Sequence, residues 1–85
     1  MTSEVYEEVV HELNKAINKH GWENTPLNPE MIHETKLVIL VEEVGEVARA
    51  ITYDEGNDQN LYYELIQVAA MAMAWAKSEK DRWIA

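Results

Sequence analysis

With 85 residues the chain has room for one domain and not for two, so residues 1–85 are predicted to form a single domain. Its apolar fraction of 47% is too high for a disordered chain, and the lack of cysteine excludes disulfides and thiolate metal sites. The net charge of −9, from 16 acidic and 7 basic residues, argues against nucleic-acid binding, because a basic face supplies most of the affinity for phosphate backbones.

Neither a membrane span nor a secretory signal is expected. The longest apolar run, Val68 to Ala76, is far shorter than the roughly 20 residues that a membrane-spanning helix needs. The N-terminus is acidic and lacks the positive region of a signal peptide. The sequence therefore predicts a soluble, cytoplasmic protein.

The first predicted helix runs from about Ser3 to Lys19. Its apolar residues recur at spacings of three and four, which is typical of an amphipathic helix packed on one side. They are Val5, Tyr6, Val9, Val10, Leu13, Ala16 and Ile17. Glu12 and Lys15 belong to the opposite, polar face. Gly21 suits the end of the helix.

The second predicted helix runs from about Pro29 to Tyr53, after a loop over residues 21–29. Asn28 is the expected N-cap, with Pro29 at the first helical position. One broad apolar stripe is the face that this helix is expected to bury: Leu37, Leu40, Val41, Val44, Val47, Ala48 and Ile51. A polar turn is expected from Asp54 to Asn60.

The third predicted helix runs from about Leu61 to Lys80 and is apolar on every side in its middle. From Leu65 to Ala76 every residue except Gln67 is apolar. Such a helix must be covered all round, and two partner helices within one chain cannot easily do so. We therefore expect an all-α bundle of three main helices that is completed by homo-oligomerisation.

Three carboxylates lie close together on the second helix. Glu42, Glu43 and Glu46 fall within one sector of roughly 100°, opposite the main apolar stripe. Glu64 and Gln67 share a face of the third helix. If the two faces meet, several oxygen ligands converge, and Mg²⁺ is a hard cation that prefers such ligands and relieves their repulsion. The pattern is therefore compatible with a magnesium site.

Each of these residues also has an ordinary structural explanation. Glutamates on a helix usually form a solvated face, and Glu46 with Arg49 would make a routine i, i+3 ion pair. Glu64 in a first helical turn commonly interacts with the helix dipole. Gln67 in an apolar run is more often a hydrogen-bonded core amide than a ligand.

The two acidic segments resemble a known family. LVEEVGEVARAI followed by ELIQVAAMAMAW is similar to the MazG-like branch of the all-α nucleoside triphosphate pyrophosphohydrolases, especially its small bacterial and phage forms. The family pattern is E-x-x-E, a connection of roughly twelve to thirty residues, and E-x-x-D. Glu43 and Glu46 match the first half, preceded by Glu42, and Glu64 begins the second. The resemblance covers about residues 30 to 78.

The resemblance implies a MazG-like helical bundle, a dimer or tetramer, that hydrolyses (deoxy)nucleoside triphosphates to the monophosphate and pyrophosphate. Glu43, Glu46, Glu64 and the Gln67 position would hold Mg²⁺, with Mn²⁺ as an alternative ion, and Glu42, beside Glu43, would orient or deprotonate the attacking water. The family's final Asp falls on Gln67 here. Glutamine binds Mg²⁺ more weakly, so a catalytically weak nucleotide-binding or regulatory homologue is one alternative, and a purely structural helical oligomer is another.

Four further residues are weaker candidates for the site. Lys36 lies about two turns before Glu43 and could reach a phosphate oxygen, although a solvated lysine is the more common case. Trp22 resembles an aromatic residue that related enzymes place against the base, although it could equally cover the end of the bundle. Asp58 or Glu55 could supply the carboxylate that Gln67 lacks.

Overall fold

The computed structural model describes residues 3–53 and 58–84, and they form three α-helices and a short 3₁₀ turn. Helix α1 spans Ser3–His20, the 3₁₀ turn Trp22–Asn24, α2 His33–Thr52 and α3 Asp58–Ile84. Over these described residues there is no strand. The prediction of an all-α chain with three main helices is confirmed.

Helix α3 is the centre of the bundle. Both α1 and α2 pack against it, and within the described residues they do not pack against each other. Tyr62 and Gln67 of α3 bond to Glu8 and Glu12 of α1, in the same order along both helices, so α1 and α3 run parallel. Lys36 of α2 bonds to Ser78 near the other end of α3. Because Glu43 lies near Glu64, α2 runs antiparallel to α3.

The core forms where α1 meets α3, and it uses the stripe predicted for α1. Val9 is buried against three residues of α3, Ile66, Ala70 and Met71, and Leu13 packs at its edge. Burial of such side chains contributes roughly 1.5–3 kcal/mol each.

Glycine ends α1 as predicted. The backbone N–H of Gly21 donates to the carbonyl of Ile17 at 2.8 Å, and Gly21 adopts a φ of 84°. A β-carbon there would lie 2.5 Å from Oε1 of Glu23. The positive φ favours glycine, whereas the close approach involves only the end of the flexible Glu23 side chain, which can move.

The predicted start of α2 is wrong by about one turn. Asn28 caps a separate turn instead of the helix: its Oδ1 accepts the N–H of Glu30 at 2.9 Å, and its carbonyl accepts the N–H of Met31 at 3.1 Å. Ile32 is then extended, with a ψ of 153°, and α2 begins at His33. An Asn-Pro pair closes such a turn as readily as it begins a helix, so the sequence signal was ambiguous.

The predicted bounds of α3 are also too narrow. The helix begins at Asp58, inside the segment expected to be a turn, and extends to Ile84. Residues 54–57 of that expected turn lie outside the described residues. Asp58 and Asn60 are poor helix formers but suit the first turn of a helix, where polar side chains compete least with the backbone.

The face that α2 buries differs from the predicted one. Most of the apolar stripe lies exposed, with Leu37, Val41 and Val44 each at least half accessible. The inward face carries Lys36, Ile39, Glu43 and Ala50, which are buried or half-buried, together with the half-buried Leu40 and Val47 of the predicted stripe. The predicted stripe therefore only partly coincides with the side of α2 that packs inward.

Helix α3 keeps an uncovered side in the single chain. Leu65 is half exposed, and Ala72 and Ala76 are exposed. The single chain therefore leaves apolar side chains of both α2 and α3 accessible. No helix of the described segments has the length and apolarity that crossing a membrane requires.

Candidate functional site

Glu43 is the centre of a group of carboxylates formed by α2 and α3. It lies on the inward face of α2 and is half-buried, whereas Glu42 and Glu46 are exposed. Burial raises the pKa of Glu43, and the negative charges of Glu64, Glu46 and Glu42 raise it further. Glu64 of α3 is thus near enough to raise the pKa of Glu43, which is the only one of the three α2 carboxylates that is half-buried.

The donor chemistry of this group fits a hard divalent cation. All the groups are carboxylates, which Mg²⁺ prefers, and a bound cation would remove the repulsion that raises the pKa of Glu43. The side chains are not assembled into a ligand shell. Within residues 3–53 and 58–84 no group of three acidic or histidine side chains lies close enough together to hold a metal ion.

Gln67 is bonded to a carboxylate from α1. Its Nε2 donates to Oε2 of Glu12 at 2.6 Å, and Lys15 approaches Oε1 of Glu12 at 3.5 Å. Only 12% of the Glu12 side chain is exposed. The amide of Gln67 is therefore not merely buried in an apolar core, because it joins α3 to a charged group of α1.

Two cavities meet at Glu43 and Gln67. The larger one, which we call the α1 cavity, has a volume of about 570 Å³. Its charged and amide side chains come from all three helices: Glu12, Lys15, Lys19 and His20 of α1, Glu43 of α2 and Gln67 of α3. A volume of this size is within the range of small-molecule sites.

The smaller cavity, which we call the loop cavity, has a volume of about 270 Å³. Its walls include Pro26, Ile39 and Met71, which are apolar, and Asn24 and Glu42, which are polar. Glu43 and Gln67 line this cavity as well. Glu43 therefore borders a charged cavity and a second cavity with both apolar and polar walls, and Ala16 and His20 also line both.

Lys36 lies away from the carboxylates. The residue is completely buried, and its Nζ donates to Oγ of Ser78 at 2.8 Å, near the opposite end of α3 from Glu64. Burial lowers the pKa of Lys36, Glu79 acts in the opposite direction, and Arg82 lowers it slightly. Lys36 is not among the residues lining either cavity, and the alternative that it is a solvated lysine is wrong.

Trp22 lies at the start of the 3₁₀ turn, and 52% of it is exposed. It does not line the two cavities, but the turn that contains it leads directly into the cavity wall. The Thr25 hydroxyl donates to the carbonyl of Trp22 at 2.8 Å, and Thr25 itself lines the loop cavity. The backbone of Trp22 is therefore tied to a residue of the cavity wall, while its indole forms no part of that wall.

The sequence reasoning missed the contribution of α1 to this site. Glu12, Lys19 and His20 were given no role in the site, because α1 has the pattern of an ordinary amphipathic helix. The sequence of a polar helix face does not indicate which residues at the border of that face contact another helix. Glu55, one suggested replacement for the missing Asp, lies outside the described residues, as does the side chain of Asp58.

Models of known protein families, curated proteins and solved structures were compared with the chain, and none of them matches it.

Proposed function

We propose that the chain is a Mg²⁺-dependent hydrolase that converts (deoxy)nucleoside triphosphates to the monophosphate and pyrophosphate, and that it works as a homo-oligomer. The observation that carries this proposal is the position of Glu43. It is half-buried among three other carboxylates and borders two cavities, so a cation held there would contact ligands in both. The E-E-x-x-E segment and the following Glu64 agree with the MazG-like pattern.

In this proposal Glu43, Glu46 and Glu64 hold the cation, with the Gln67 position beside them. The cation would neutralise charge on the triphosphate. Glu42, exposed next to Glu43, orients the attacking water and accepts its proton. The water oxygen bonds to the α-phosphorus, the bond from that phosphorus to the α–β bridging oxygen breaks, and pyrophosphate leaves with that oxygen.

The loop cavity is suited to the nucleobase. Pro26, Ile39 and Met71 offer apolar surface for the planar faces of a ring, and Asn24 offers an amide for its polar edge. Trp22 is exposed and lines neither cavity, so it would reach the base only by covering it from outside. This placement puts the base in the loop cavity and leaves the α1 cavity, which shares Glu43 with it, for the rest of the substrate.

The direct test is release of pyrophosphate from each common NTP and dNTP, with Mg²⁺ and with EDTA. We expect metal-dependent release of pyrophosphate and not of orthophosphate. A Glu46→Gln variant should lose most of the activity, whereas Glu34→Gln, at an exposed position in the first turn of α2, should keep it. Equal rates in Mg²⁺ and EDTA would refute the proposal.

One observation favours the second candidate function, nucleotide binding with little turnover. The Gln67 amide is committed to Glu12 by a bond of 2.6 Å, so the position where the family has an acid is occupied by a neutral, engaged group. Gln67→Asp distinguishes the two functions. A gain of tenfold or more in turnover would identify the natural chain as a weak enzyme, whereas a loss would show that the amide suits the reaction.

A further inference from the structure

The α1 cavity has a cationic wall that the proposed mechanism does not use. Lys15, Lys19 and His20 line it from the last turns of α1, and His20 lines the loop cavity as well. Lys15 and Lys19 are four residues apart, so they lie on one side of the helix. They are also the only lysines or arginines in α1, in a chain with 16 acidic and 7 basic residues. Both therefore border the same cavity in a strongly acidic protein.

Helix stability accounts for part of this arrangement. Cations in the last turn of a helix interact favourably with its C-terminal dipole, and this explains Lys19 and His20. The helix dipole does not explain why these basic residues line a cavity that Glu43 also lines. Lys15 is already near Glu12, at 3.5 Å. Within residues 3–53 and 58–84, the side chain of Lys19 forms no ion pair and no hydrogen bond.

We propose that the α1 cavity is a polyphosphate subsite, in which Lys15 and Lys19 bind the β- and γ-phosphates of the substrate and His20 lies within reach of the same chain. This inference rests on the proposed function. It deepens that function because it assigns the two cavities different parts of the nucleotide. The phosphate chain extends from Glu43 towards α1, and the leaving pyrophosphate remains on the lysines when its bond breaks.

The charges of the cavity are compatible with this role. Glu12 is the acid nearest the lysines, and Gln67 and Lys15 already engage it, so it adds less repulsion than a lone carboxylate would. Glu43 is the other acid, and a cation held there would bridge it to a phosphate oxygen. A phosphate chain would then contact positive charge at both ends of the cavity.

The test is calorimetric titration of the whole protein with inorganic tripolyphosphate, which has no base, in Mg²⁺. Lys19→Gln should weaken binding by roughly tenfold, because a charge-assisted hydrogen bond is lost, and Lys15→Gln/Lys19→Gln should weaken it further. Lys19→Arg should retain binding. Lys80→Gln is the matched control, since Lys80 is exposed, unpaired among the described residues and outside this cavity. It should change binding by less than about twofold.

Melting temperatures separate this role from a structural one. If Lys19 serves only the helix end, Lys19→Gln lowers Tm and leaves tripolyphosphate binding unchanged, and the subsite is refuted. Absence of binding to the natural protein refutes it as well. If Lys19→Gln does not fold, Tm and tripolyphosphate binding are compared for Lys15→Gln and Lys19→Arg instead.

The outcomes for the subsite and for the enzyme are distinguishable. Lysine-dependent binding without hydrolysis of any nucleotide would support the subsite and refute the proposed function. Hydrolysis with a KM that is unchanged in the double lysine variant would support the function and refute the subsite. If the double lysine variant has a raised KM for nucleotides and is inhibited less by pyrophosphate, both the subsite and the proposed function are supported.

Discussion

Glu43 is the residue at which stability and function compete most directly. Burial and three neighbouring negative charges raise its pKa, so the folded chain favours the protonated carboxyl. For an acid whose folded pKa lies above the unfolded value, the cost is absent at pH values below the unfolded pKa. The cost develops as the pH rises from the unfolded pKa to the folded pKa. In this interval the unfolded chain has released the proton, whereas the folded chain still binds it. At neutral pH the metal-free protein carries this cost in full.

We expect Glu43→Gln to raise the stability of the protein in EDTA at pH 7.5. The gain should be at most about 1 kcal/mol, or roughly 4–8 °C in Tm, because solvent screens part of the repulsion. It should shrink as the pH falls, because the natural carboxyl then becomes protonated in both the folded and the unfolded chain. Thermal melts in EDTA, monitored by circular dichroism at pH 7.5 and at lower pH, measure the gain in Tm and its decrease.

The same variant should respond less to magnesium. The natural protein should gain stability with Mg²⁺ by mass action, and Glu43→Gln should gain clearly less. Glu34→Gln is the matched control and should behave as the natural protein in both experiments. An equal shift in Tm with Mg²⁺ for the natural protein and Glu43→Gln would contradict a cation site at this residue.

Lys36 makes a second prediction at this scale. Because burial lowers its pKa, the unfolded chain binds the proton more tightly, and stability should rise with pH between the folded value and the ordinary 10.5. Lys36→Met removes the buried charge and keeps much of the volume. We expect it to raise the free energy of unfolding by about 1 kcal/mol at pH 7, with a gain that shrinks towards pH 10.

Urea unfolding at several pH values measures the effect of Lys36→Met, with the exposed Lys80→Met as control. The same variant tests the role in phosphate binding that the sequence suggested for Lys36. Since Lys36 lines neither cavity, nucleotide KM should be unchanged in Lys36→Met. A markedly raised KM without loss of stability would instead show that Lys36 leaves Ser78 to reach the substrate.

At the scale of helices, α2 shows what sequence periodicity could and could not predict. The existence of the three helices followed from the spacing of apolar residues, and the stripe of α1 is the one that packs. In α2 the most apolar stripe lies outside and the face with Lys36 and Glu43 lies inside. Periodicity identifies an apolar face, but it does not say whether that face meets the same chain or another one.

The candidate site was predictable to a similar extent. Glu42, Glu43, Glu46 and Glu64 could be grouped, because each half of the pattern lies on one helix and only the pairing of two helices had to be assumed. The bond from Gln67 to Glu12 could not be predicted, since it depends on the register between α1 and α3. That register results from the packing of Val9 against α3, which single-sequence patterns do not encode.

The outer stripe of α2 predicts a homo-oligomer whose interface includes Val41 and Val44. Both side chains are at least half exposed in the single chain, so a charge there should cost the monomer little. Val41→Asp/Val44→Asp should convert a dimer or tetramer to a monomer in light scattering after size exclusion. Tyr6→Asp, at an exposed position on α1, adds a similar charge elsewhere and should leave the mass unchanged.

A natural chain that is monomeric at micromolar concentration would contradict this interface. If the double variant is monomeric and still hydrolyses nucleotides, the site is complete within one chain. If the monomer folds and is inactive, a second copy contributes to the site.

For the whole molecule, the central place of α3 determines when the chain can fold during its synthesis. The helix on which both others pack is the one that follows them in the sequence. During synthesis α1 and α2 therefore emerge with no packing partner, and most of the stability of a helix in a protein comes from the packing of its amphipathic face. Folding must wait until Ile66 to Met71 have left the ribosome. Nascent chains that end before this segment should be digested by protease as readily as unfolded ones, and an abrupt gain of protection should follow its emergence.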